Sequence, residues 1–148
     1  MKASMKDPYN LQRFVEAQVP VYSQVCAELR CGRKTSHWMW FIFPQIQGLG
    51  SSDTAQYFAI SSCEEATAYL EHSILGARLL ECTGLVTKIE GKSIDQIFGY
   101  PDNLKFQSSM TLFAHATEEN DVFLEAIRMY FAGVFDPQTL ARMPGVTK

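Results

Sequence analysis

The sequence predicts an all-α fold, a single compact domain of seven or eight short helices around one core. Three observations carry this. Apolar residues recur at spacings of three and four through most of the chain, which is the period of a helix with one buried face. Residues that satisfy the first amides of a helix stand just before several of these runs. No segment alternates at period two and finds a second such segment to pair with, so no sheet is expected.

Taken in order, Asp7-Pro8 is a helix start, with Leu11, Phe14, Val15 and Gln18 following at helical spacing. Pro20 breaks that helix or opens the next, whose face is Val21, Tyr22, Val25 and Leu29, and Gly32 is placed to end it in the left-handed region. Ser51 or Ser52 can cap a short helix through Tyr57. Ser62-Cys63-Glu64-Glu65 fits a reciprocal capping box opening a helix through Leu70, and His72-Ser73 marks a break. Leu75, Leu79, Cys82, Val86 and Ile89 form one continuous seam, closed by Gly91. A second box at Ser93–Gln96 opens a short helix that stops at Gly99-Tyr100-Pro101. Asp102 or Asn103 can cap the next helix, striped by Phe106, Met110 and Phe113. Acidic residues at 118, 119 and 121 favour the start of a helix bearing Val122, Phe123, Ala126, Ile127, Tyr130 and Phe131. Asp136-Pro137 opens a last short turn. Residues 8–142 form the ordered core in this reading, with 1–6 and 143–148 frayed.

The 148 residues suit one domain with no linker, repeat or low-complexity tract. Thirteen basic against sixteen acidic side chains give a net charge of −3, which argues against a nucleic-acid groove. The first residues lack the apolar stretch of a signal peptide, and the longest apolar run, 38–44, is far too short to span a membrane. A cytoplasmic location is expected, with the cysteines at 26, 31, 63 and 82 reduced and mostly buried. Their spacing matches no zinc motif, and neither a metal nor a cofactor is expected.

Chemistry-bearing residues concentrate in three segments. Arg30, Arg33 and Lys34 precede Thr35, Ser36, His37, Trp38 and Trp40, and the run continues to Gln45. Cations hold phosphate or carboxylate, indoles stack on flat rings, and an imidazole moves protons near neutral pH. The plainer reading makes the aromatic run core and the basic residues a solvated turn. Gly48-Leu49-Gly50-Ser51 could form an anion nest, although a plain turn is the better reading. In the third segment, Ser108, Ser109 and Thr111 are poor helix-interior residues within an apolar stripe, with Lys105 and His115 able to share a face with Ser108. They serve either a site or a close helix contact through bonds to their own backbone.

These segments together resemble the family called domain of unknown function 1810, whose members are sometimes mislabelled calpastatin. The resemblance spans nearly the whole chain, from 11–18 to 136–140. It is most specific in Ser36-His37-Trp38-Met39-Trp40-Phe41-Ile42-Phe43-Pro44-Gln45, Gly48-Leu49-Gly50, Leu75-Gly76-Ala77-Arg78-Leu79 and the stretch 105–113. Ser73 departs from the family pattern, which has proline after the histidine. The resemblance implies a single all-α domain and brings no activity, cofactor or catalytic residue.

Two functions follow as expectations. The first is a site for a small anionic ligand, a nucleotide or sugar phosphate, where the first and third segments meet. Arg33, Lys34 and Lys105 would hold the anion and Trp38 or Trp40 would stack. Ser36, Gln45, Ser108 and Ser109 would add polar contacts, with His37 as acid or base and Asp102 as its orienter if a reaction occurs. The second is a non-enzymatic interaction module presenting an exposed aromatic patch to a partner protein. A thiol hydrolase pairing Cys63 or Cys82 with His37 is a poorer third.

Overall fold

The computed structural model describes residues 7–143, and the expected fraying of 1–6 and 144–148 lies outside the described residues. The fold is all-α. Ten helices occur among the described residues: α1 (Gln12–Gln18), α2 (Tyr22–Arg30), α3 (Met39–Ile42), α4 (Asp53–Tyr57), α5 (Cys63–Glu71), α6 (Leu75–Thr87), α7 (Ile94–Phe98), α8 (Asp102–Ala114), α9 (Asp121–Phe131) and α10 (Pro137–Ala141). The count exceeds the expected seven or eight. One turn, α3, forms inside the aromatic run, where burial of Trp38, Met39, Ile42 and Phe43 supplies the drive that four residues of propensity cannot. The turn after Asp136 becomes the other addition, α10, with Asp136 accepting from the Thr139 amide and Pro137 in its first turn.

Helix α8 is the centre of the molecule. It packs against α5, α7, α9 and α10, and α6 closes the far side against α2, α5 and α9. Its apolar residues Phe106, Met110, Leu112 and Phe113 are fully buried, and Phe106 meets Phe43 edge-on with ring centres 5.0 Å apart. Met143, counted with the tail in the sequence, is 2% exposed and joins this core.

Several helix starts differ from expectation. Asp7 lies five residues ahead of the first residue of α1, yet its carboxylate accepts from the amides of Leu11 (2.7 Å) and Gln12 (2.9 Å). Asn10, with φ 54°, breaks the intervening turn. The box at Ser62 closes on one side only: Ser62 accepts from the Glu65 amide, while the Glu65 carboxylate turns to Ser61 and Arg13. Ser93 and Gln96 form the complete box. Neither Asp102 nor Asn103 caps α8, because Pro101 holds that position and Asp102 is drawn to two lysines. The cysteines are free, but only Cys26 and Cys82 are buried; Cys63 is half-buried and Cys31 exposed.

Gly76 is where α6 passes closest to the end of α5. A Cβ there would stand 2.0 Å from the Leu70 carbonyl oxygen, a backbone atom that cannot yield locally. Gly76→Ala should destabilise the fold by about 2–3 kcal/mol, as overpacking against a fixed neighbour does. Urea denaturation measures it; a midpoint equal to wild type would mean that α5 and α6 are free to slide.

Candidate functional site

The first segment is shaped by a residue that sequence reasoning passed over. Glu28 sits on the buried face of α2, and its carboxylate gathers the loop that follows. Oε1 accepts from the amides of Thr35 (2.8 Å) and Ser36 (3.1 Å) and from the Trp38 indole (2.9 Å), while Oε2 accepts from the Ser36 hydroxyl (2.5 Å) and Gln24 (2.8 Å). Burial works to raise this carboxyl, but the donors outweigh it and hold it down at about 2. Ser36 and Trp38 are thereby committed to the interior; Trp38 is 1% exposed. His37 lies between them, exposed, with no hydrogen bond to Asp102 or to any other described residue. Arg33 is also exposed.

Lys34 turns inward. Its ammonium lies 2.7 Å from Asp102 Oδ2 and over the Trp38 ring at 5.2 Å, and its side chain is 8% exposed. Asp102 also meets Lys105 at 3.3 Å, and Lys105 in turn lies over Trp40, 4.7 Å from the ring centre. One carboxylate thus ties the first segment to the start of α8, and the second tryptophan, unlike the first, stays half-buried beside a cation.

Trp40 and Lys105 open onto two adjoining cavities. The larger, about 540 Å³, lies between Trp40, Phe58 and the 45–50 loop. The smaller, about 280 Å³, lies between that loop, the first turns of α8 and Asp136. Gln45, Gly50 and Ala55 line both, so the two form one groove. Its outer wall is anchored by a single parallel bridge, in which Ile60 donates to Gln45 (2.8 Å) and Gln47 donates to Ile60 (2.8 Å). Of the expected binding residues, Trp40, Gln45, Lys105 and Ser108 line this groove; Arg33, Lys34, Ser36, Trp38 and Ser109 do not, nor do His37 and Asp102.

The hydroxyls of α8 divide into two kinds. Ser108 and Thr111 bond back to the carbonyls of Leu104 (3.1 Å) and Gln107 (2.8 Å). Each also reaches Asp136: Ser108 shares its one hydroxyl proton between the Leu104 carbonyl and the Asp136 carboxylate (3.0 Å), and Thr111 accepts from the Asp136 amide (2.9 Å). Thr139 adds its amide and hydroxyl to the same carboxylate. These residues fasten α10 to α8 and so fix the floor of the smaller cavity. Ser109 is fully buried with no hydrogen-bond partner among the described residues. His115 Nδ1 is 2.8 Å from the Thr111 carbonyl, and its ring packs edge-on against Phe135.

The cysteines are poorly placed for nucleophilic work. Burial, with a smaller contribution from Glu64, raises the Cys63 thiol, which lies 3.9 Å from the His115 carbonyl oxygen. Burial pushes Cys82 up to about 12, outweighing its contact with Tyr22. Besides Glu28, sequence reasoning missed that the Arg142 side chain lies against Gly48, although Arg142 itself lines neither cavity. A lone arginine after a short terminal turn gives no local signal of this. No described helix is long and apolar enough to cross a membrane.

No protein of curated function matches the chain. Among solved structures, the conserved hypothetical protein Rv1873 from Mycobacterium tuberculosis is 57% identical, superposes with a TM-score of 0.92, and aligns over 93% of this chain and 98% of its own. The profile of a protein family of unknown function, DUF1810, matches residues 8–143. That span takes in every described helix and both cavities, and the chain therefore belongs to the DUF1810 family.

Proposed function

We propose that the protein binds a small ring-bearing anionic metabolite, of the nucleotide or sugar-phosphate class, in the groove between Trp40 and Lys105. The observation that carries this is the convergence of residues from distant segments on one concavity. Trp40 and Gln45 come from the first segment, Gly48 and Gly50 from the second, Lys105 and Ser108 from the third. An indole offers a stacking face, a lysine offers charge, and apart from Ser108 and Asp136 the walls are apolar or amide. His37 stands away from the groove, so binding rather than acid–base chemistry is the activity the geometry supports.

A panel of nucleotides and sugar phosphates, screened by thermal shift, tests this. At least one compound should raise the Tm of wild type, and the shift should fall by more than half in Lys105→Ala and in Trp40→Ala. A ligand that stabilises wild type and both variants equally would place binding elsewhere. The interaction-module reading retains one feature: Tyr100 is 81% exposed beside Leu104 at 47%, whereas Trp38 is withdrawn into the core.

A further inference from the structure

We infer that Asp136 selects the ligand through a hydroxyl: its carboxylate oxygen Oδ1 accepts from a sugar hydroxyl of the ligand inside the smaller cavity, which Lys105 also lines. This rests on the groove being the binding site, and it adds the chemical feature by which the groove chooses among anions.

Every polar atom of Asp136 but one is engaged within the fold. Its amide donates to the Thr111 hydroxyl oxygen (2.9 Å), and its carbonyl accepts from the Leu140 amide (3.2 Å). Oδ2 receives the Ser108 hydroxyl (3.0 Å), the Thr139 amide (3.2 Å) and the Thr139 hydroxyl (2.5 Å). Oδ1 accepts from none of the described residues. It is not a buried orphan either. Among the described residues the buried side-chain atoms without a partner are Thr83 Oγ1 and Ser109 Oγ, so Oδ1 is open to solvent. Asp136 lines the smaller cavity, and Oδ1 is the one polar atom it has left to offer there. The carboxylate is held from α8 by Ser108 and from α10 by Thr139, so its direction is set before a ligand arrives.

The cavity therefore makes two opposite demands. Lys105 Nζ, 3.3 Å from Asp102 Oδ1, can only donate, and Asp136 Oδ1 can only accept. A phosphate or carboxylate oxygen suits the lysine and is repelled by Asp136. A hydroxyl suits Asp136, because it brings a proton. A ligand that satisfies both carries an anion and a hydroxyl close enough together to share about 280 Å³. Nucleotides and sugar phosphates meet that condition; pyrophosphate and plain dicarboxylates do not. An analogue lacking the hydroxyl would cover Oδ1 without pairing it, which is how a hydrogen-bonding site rejects a near-identical ligand.

Calorimetric titration of the full-length protein decides this. The probes are nucleoside 5′-monophosphates and hexose phosphates, each beside counterparts that lack one hydroxyl, with pyrophosphate as the hydroxyl-free anion. Wild type should bind at least one probe roughly tenfold or more tightly than one of its deoxy counterparts, and pyrophosphate more weakly still. Asp136→Asn keeps the size and turns its carbonyl to the Ser108 and Thr139 donors, so the preference should fall to about threefold or less. Asp136→Ala should erase it, with circular dichroism showing the helices intact. Thr139→Val loosens the same clasp but leaves the carboxylate, so it should lower the Tm and keep the preference. Lys105→Ala should weaken a probe and its deoxy counterparts by a similar factor. A preference undiminished in Asp136→Asn and Asp136→Ala, or lost equally in Thr139→Val, overturns the role of Asp136. Equal binding of every probe and all its counterparts, still abolished by Trp40→Ala, overturns the hydroxyl seat and leaves the groove standing. A wild type that binds no probe overturns the groove and the seat together.

Discussion

Replacing Arg13 by alanine is expected to lower stability by about 4 kcal/mol, the loss that follows when one partner of a buried ion pair is removed. Arg13 is buried, and each of its five N–H groups has an acceptor. Nε donates to the Tyr57 carbonyl (2.8 Å), and Nη1 to those of Tyr9 (2.7 Å) and Asn10 (2.9 Å). Nη2 donates to the Ala59 carbonyl (2.8 Å) and to Glu65 Oε2 (3.0 Å). Removing the guanidinium leaves the carbonyls of Tyr9, Tyr57 and Ala59 without this donor, while that of Asn10 keeps the Arg13 amide, and it leaves a carboxylate buried at 2% exposure without its counter-charge. Arg13→Lys restores the charge with only three donors in no fixed fork, so it should recover less than half of the loss. Arg13→Met combined with Glu65→Leu removes both charges and should be milder than Arg13→Ala alone. Because Tyr57 and Ala59 flank the outer wall of the larger cavity, the single variant should also weaken any ligand bound there. Urea denaturation followed by tryptophan fluorescence reads the stability. A loss below about 1 kcal/mol would show that water replaces the guanidinium and that Arg13 does not hold this part of the fold together.

The same residue shows what periodicity can and cannot read. The seam from Leu75 to Val86 became α6 with those side chains buried, because a helix exposes its apolar period directly in the chain. The Ser93–Gln96 box formed because its partners are three residues apart. Arg13 meets Glu65 across 52 positions, and in the sequence each looks like an ordinary solvated charge. Glu28 is hidden in the same way: it stands between Val25 and Leu29 on the apolar face of α2, and only the folded loop reveals the four donors that join Gln24 in aiming at it. The site divides along this line. That the first and third segments meet was legible from their residue types, and Trp40, Gln45, Lys105 and Ser108 do meet at the groove. Which tryptophan faces the groove was not, since Glu28 takes the indole of Trp38 and leaves Trp40 outside. The same grip turns His37 to solvent, because both of its neighbours are held on the opposite side.

Glu28 therefore carries the second large effect, and it has a pH signature. Unfolded, a glutamate titrates near its ordinary 4.5; folded, burial tends to raise it, but the Ser36, Thr35, Gln24 and Trp38 donors dominate and hold it at about 2. The unfolded chain thus binds a proton on this group before the native one does. The stabilisation is fully present above pH 4.5 and is lost as pH falls from there toward 2, amounting to about 2 kcal/mol after screening. Glu28→Gln removes the titration and points an amide N–H2 at groups that are themselves donors. It should cost about 2–3 kcal/mol at neutral pH and flatten the acid limb of the stability curve. Glu28→Ala should cost about 3–4 kcal/mol, since Trp38 Nε1 is left buried without an acceptor. Its indole emission should shift, and Trp40, two residues further on, should lose its fixed place over Lys105. Stability measured by urea between pH 7 and pH 2 separates the outcomes. An acid limb of equal slope in wild type and Glu28→Gln would assign the loss to other carboxylates and leave Glu28 as packing alone. A limb present only in wild type would identify the Glu28 carboxylate as the ionised clasp that holds the tryptophan loop against α2.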